Sequence, residues 1–167
     1  MKLFKTTLIA TALIAAGFVG NADAASKSTT FKVKIKITES CQFSSSATDV
    51  NFGSVNRSAA IDTQATGNLY VTCTNGTPYQ IGLNEGLNGL SVSDRKMMKV
   101  GSTETISYGL YLDNARTENW GNTTDTDTFS DTSNGLQQTV PVYGKVLVAG
   151  NVSAGNYSDT IRATITY

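Results

Sequence analysis

Apolar and polar residues alternate in short runs along most of this chain, and the most regular run is residues 31–37, FKVKIKI. Successive side chains of a strand point to opposite faces, so Phe31, Val33, Ile35 and Ile37 line one face there and Lys32, Lys34 and Lys36 the other. A helix would scatter the same groups around its circumference. Further strands are expected at residues 67–74, with Leu69, Val71 and Cys73 in phase, and at 78–83, with Tyr79, Ile81 and Leu83 in phase. Others follow at 93–100, 106–112 and 138–148. The last run, 157–167, places Ile161, Ala163, Ile165 and Tyr167 on one face. Asn75-Gly76 is a hairpin signal between two such runs. Residues 42–48 read as the end of a short strand and a loop, with Phe43 facing inward. Residues 122–135 hold Phe129 as their only large apolar group and read as a long surface loop or ragged edge. No window behind the leader sustains a period of 3.6, so the pattern predicts one antiparallel β-sandwich without internal repeats.

The first residues are of another kind. Lys2 and Lys5 precede an apolar stretch over residues 8–19, and Ala22-Asp23-Ala24 fits a small-x-small cleavage site. This is a secretory signal over residues 1–24, with the mature chain starting at Ala25. The apolar run is shorter than the roughly 20 residues a membrane span needs. Residues 25–167 are enough for one domain with a core of its own. Basic and acidic residues number 13 each in the full sequence, and removal of Lys2 and Lys5 leaves no basic excess for nucleic acid or anionic lipid. Export also changes the meaning of the two cysteines, Cys41 and Cys73. An oxidising compartment favours a disulfide between them, which closes a loop worth about 3.7 kcal/mol in chain entropy.

The chemistry available is sparse. The chain has no histidine, which removes the commonest general base and metal ligand. Asp125, Asp127 and Asp131 share a polar segment but lack the glycine and closing glutamate of a calcium loop, so they read as solvated. Tyr111 and Trp120 are candidates for a sugar-binding face, although Trp120 reads better as a core or corner aromatic. No catalytic residue, cofactor site, metal site or small-molecule substrate is expected. Residues 31–37 themselves leave two readings open. They are the first strand of an ordinary closed sandwich, or a strand held on a leash for a neighbour.

Several short segments, taken in order, resemble the spore coat U domain family, and within it the subunits of archaic (Csu-type) chaperone–usher pili. They are the alternating segment before Cys41, Asn51-Phe52-Gly53, and the run from Gly67 to Cys73. Tyr108-Gly109-Leu110-Tyr111 follows, with Asp113, Arg116 and Thr117, and then Trp120-Gly121. Val140-Pro141-Val142-Tyr143-Gly144 and the closing run from Gly155 to Thr160 complete the set.

The resemblance implies an incomplete immunoglobulin-like sandwich, formed by residues 41–167 and lacking its last strand. Residues 25–40 would be the donor segment, with Phe31, Val33, Ile35 and Ile37 as plugs. Ile161, Ala163, Ile165 and Tyr167 would lie on the strand at the acceptor groove, and Cys41 and Cys73 match the family disulfide. The implied partners are a periplasmic chaperone, an outer-membrane usher and other pilin subunits, in a surface pilus for adhesion and biofilm formation. A sandwich short of one strand exposes an apolar slot and an unpaired edge, and a chain ending on the run at 157–167 leaves nothing of its own to cover them. Four large side chains entering such a slot contribute roughly 6–12 kcal/mol. The alternative is a secreted coat or carbohydrate-binding sandwich that does not polymerise.

Overall fold

The computed structural model describes residues 25–56, 62–148 and 151–167, and of Val148 only the backbone. The expected signal at residues 1–24 lies outside the described residues. Residues 36–167 form one compact unit. Nine strands are assigned among the described residues, every pairing is antiparallel, and no helix is present there.

The strands are β1 (Cys41–Phe43), β2 (Gln64–Cys73), β3 (Pro78–Leu83), β4 (Arg95–Lys99), β5 (Thr105–Tyr111), β6 (Phe129–Thr132), β7 (Gln138–Val148), β8 (Tyr157–Ser158) and β9 (Ala163–Thr166). They build a six-stranded sheet in the order β1-β2-β7-β5-β4-β8 and a three-stranded sheet in the order β6-β3-β9. The alternation read from the sequence sets which faces meet. Leu69, Val71 and Cys73 from β2, Tyr108 and Leu110 from β5, and Val140, Val142 and Val146 from β7 are all buried. So are Tyr79, Ile81 and Leu83 from β3. With Trp120 these residues form the core of an all-β, immunoglobulin-like sandwich. Trp120 ties the layers together: its backbone N–H donates to Leu110 O (2.9 Å) and its indole N–H to Ile81 O (2.7 Å). Gly67 and Gly144 face inward without the Cβ that would collide with Thr48 O and with Val50, so residues 48–52 can lie close beneath the large sheet.

Three expectations change. Asn75-Gly76 does make a tight turn, with Gly76 at φ 80° and Thr77 N donating to Thr74 O at 3.1 Å. The strands it joins, β2 and β3, lie in different sheets, so it is a corner and no hairpin. Turn chemistry fixes a local reversal, and burial of both flanking runs then decides which partners they take. The polar segment at 122–135 contains an edge strand, β6, paired to β3 with Phe129 opposite Ile81. The closing run is broken in two: β8 pairs β4 in the large sheet, and β9 pairs β3 in the small one.

Candidate strand-docking site

Two strands leave their outer edges unpaired at the same end of the sandwich. β1 ends the large sheet and β9 ends the small one. The two approach with Cα atoms within 8 Å, yet exchange no ladder pairing. An edge strand presents a row of free N–H and C=O groups and accepts another strand readily.

The wall on the β1 side is short and covalently fixed. Cys41, Gln42 and Phe43 pair with Cys73, Thr72 and Val71. The expected disulfide joins Cys41 to Cys73, with Cα atoms 4.1 Å apart. Thr74 N donates to Ser40 O (2.9 Å), and Ser44 N to Tyr70 O (2.9 Å). Phe43 shares the inward face with the fully buried Val71, but 37% of its own surface stays exposed.

On the opposite wall, Ala163 and Ile165 stand on β9, Ile161 precedes it and Tyr167 follows it. Ile161, Ala163 and Ile165 pack against the core but are only partly buried, and Tyr167 is exposed. Ile81, on the neighbouring strand and directly opposite Ile165, is wholly buried. The drop in burial across one strand spacing marks where the apolar layer is unfinished.

Residues 31–37 take no part in any strand, and Phe31, Val33, Ile35 and Ile37 are 85, 88, 86 and 70% exposed. Four large apolar side chains on one face of a segment, all in water, are an uncompensated cost that a stable monomer rarely carries.

A polar cluster that the sequence reading missed ties the end of β3 to Trp120 and fixes the crossing that leads from β8 to β9. Arg95 is completely buried. Its Nε donates to Asn84 O (2.9 Å), and its Nη2 donates to Leu83 O (2.9 Å) and Trp120 O (2.7 Å). Burial pulls its pKa below the usual arginine value, and the nearby Tyr108, Asp127, Asp159 and Glu85 act in the opposite direction. Asp159 sits where the chain leaves one sheet for the other. Its carboxylate accepts from Tyr108 Oη (2.7 Å), Leu87 N (2.9 Å), Asn88 Nδ2 (3.0 Å) and Thr160 N (2.9 Å). Burial, followed by the Asp159 bond, pushes the Tyr108 hydroxyl above its ordinary pKa. The parity of Arg95 with Met97 was the one available sign that this arginine faces inward.

Trp120 is fully buried and is therefore no part of a sugar-binding surface. Among the described residues no group of three or more His, Cys, Asp or Glu is placed to hold a metal ion, and no helix is long and apolar enough to cross a membrane.

Residues 27–164 match the Spore Coat Protein U domain. Protein U of Myxococcus xanthus is 35% identical, over 96% of this chain and 97% of its own. Among solved structures, the chain is similar to one from the CsuC–CsuE chaperone–tip adhesion subunit pre-assembly complex of the archaic chaperone–usher Csu pili of Acinetobacter baumannii. That match has a TM-score of 0.57 at 22% identity and covers 78% of this chain. This chain spans 40% of the solved chain's length, and the likeness is one of fold.

Proposed function

The chain belongs to the Spore Coat Protein U domain family, and we propose that it is a structural subunit of an archaic chaperone–usher pilus, completed by the leading segment of another copy. In this reading the protein is exported behind a signal at residues 1–24, residues 25–40 are the donor segment, and residues 41–167 are the unfinished pilin domain. A periplasmic chaperone first covers the slot between β1 and β9, and at an outer-membrane usher the next subunit replaces it. The fibre that results serves adhesion and biofilm formation and carries out no catalysis.

One observation carries the reading: two unpaired edges flank a half-covered apolar layer, and an alternating apolar segment of the same protein is left in water. Strand addition would use backbone pairing for affinity and the alternate side chains Phe31, Val33, Ile35 and Ile37 for specificity. Head-to-tail addition of this kind does not close on itself, so it yields a filament. A strand lying between β1 and β9 needs about 9.6 Å between them, two ladder spacings. The walls stand within 8 Å at their nearest, so docking parts them there by at least about 1.6 Å.

The test is assembly without a chaperone. The purified protein forms SDS-resistant polymers, and a chain lacking residues 25–37 does not, but binds a peptide of that sequence as a one-to-one complex. Polymers from the deleted chain would overturn the reading. A stable full-length monomer that tolerates the same deletion would instead favour a self-contained coat protein.

A further inference from the structure

Charge is unevenly divided along the sequence. Residues 25–40 carry Lys27, Lys32, Lys34 and Lys36 against Glu39 alone, a net +3. Residues 41–167 carry 7 Lys and Arg against 11 Asp and Glu, a net −4. The apolar face of residues 31–37 accounts for holding the segment in the slot. It leaves the three lysines of the other face without a role.

A segment that adds beside β9 with its apolar face inward turns Lys32, Lys34 and Lys36 to the outer face of the small sheet. The outward residues there are Thr164 and Thr166 of β9 and then Gln80 of β3, directly opposite Thr166. Gln80 holds an acid in place: its side-chain amide donates to Asp125 Oδ1, while its Oε1 accepts from Asp125 N (2.9 Å) and Thr128 Oγ1 (2.5 Å). Asp131 lies on the other side: it pairs with the buried Tyr79 and accepts from Gln138 Nε2 (2.9 Å) of the facing sheet. The added strand lies about 10 Å from Gln80, two ladder spacings and about one screening length at 0.1 M salt.

We infer that this outer face, with Asp125 on an acidic domain, is the electrostatic landing surface for the lysine face of a second copy's leading segment. The inference rests on the donor-strand reading above and adds that subunit addition is gated by ionic strength. The lysines steer the encounter, and the apolar face sets how long the contact lasts. Charges of +3 and −4 about 20 Å apart, with screening lengths of about 30 Å at 0.01 M salt and 3 Å at 1 M, change the encounter rate about tenfold.

The experiment follows a fluorescent peptide of residues 27–39 binding by stopped flow to the chain without residues 25–37, whose slot no leading segment fills, at about 0.01 M and about 1 M salt. The association rate is expected to fall about tenfold with salt, while the dissociation rate changes less than about twofold. A peptide with the three lysines replaced by glutamine should bind at the high-salt rate in both conditions. In the protein, Asp125→Asn should lower the low-salt rate about twofold, and should have no effect on the glutamine peptide. Asparagine suits Asp125, which has φ 61°, because it tolerates that conformation and can still accept from Gln80. Association of the natural peptide at one rate in both salts overturns the landing surface alone, as does an asparagine variant with unchanged kinetics. No association in either salt overturns the donor reading and the landing surface together.

Discussion

Ile35→Asp separates assembly from folding. Ile35 is 86% exposed, so the monomer loses almost nothing by the change, and its unfolding free energy should stay within about 0.5 kcal/mol. The docked state loses a great deal. Burying the isoleucine side chain contributes about 2–3 kcal/mol, which vanishes with the substitution. A carboxyl group placed in the same apolar pocket without a hydrogen-bond partner adds a penalty of at least about 2 kcal/mol, even if it enters protonated. The sum, about 5 kcal/mol, corresponds to three to four orders of magnitude in the association constant. Ile35→Ala forfeits only the first term and should cost about 50-fold. Two measurements on the same preparations check this: urea unfolding of the monomer, and the yield of SDS-resistant polymer on gels. Polymer from Ile35→Asp at the unsubstituted level would refute the pocket argument. So would an equal loss of monomer stability, because it would mean that Ile35 belongs to the core of its own chain.

Arg95→Met should destabilise the monomer by about 3 kcal/mol in urea, because two buried carbonyls and a partly buried one lose a charged donor; a change under about 0.5 kcal/mol would mean that the arginine is no staple. Cys41→Ser with Cys73→Ser should cost about 3–4 kcal/mol by the same measurement and should lower polymer yield, since the β1 wall then depends on three residue pairs. Tyr79 and Tyr108 have pKa values raised first by burial, and a group with a raised folded pKa contributes stability that is complete below its unfolded value near 10 and fades as pH rises beyond it. Absorbance at high pH should therefore show part of the seven tyrosines ionising early and the rest only together with unfolding; all seven ionising in one early step would contradict their burial.

Legibility followed burial. β2, β3, β5 and β7 were readable because each alternates large apolar groups toward one shared core, and a register slip would send all of them into water. β6 was not, because it is an edge strand with one large apolar residue, Phe129, and its pairing to β3 is made of backbone bonds that leave no mark on composition. The break between β8 and β9 was hidden for another reason. Alternation continues through Tyr157, Asp159 and Ile161 as though the strand did, and only the four bonds to the Asp159 carboxylate, from residues as distant as Leu87 and Tyr108, turn the chain there. Residues 31–37 carry the period of a strand and pair with nothing in their own fold. In the donor reading that period calls for a partner surface. The proposed place of it, between β1 and β9, needed three dimensions.

The bond between Cys41 and Cys73 also bears on how the molecule takes a mechanical load. Tension applied to the leading segment enters the fold at Cys41, a few residues beyond Ile37. Without the bond, that pull would unzip the three pairs of β1 one at a time. With it, the force crosses at once to the end of β2, a ten-residue strand paired to β7 along most of its length, which must be sheared as a whole. The weakest strand at the edge is thereby taken out of the line of force.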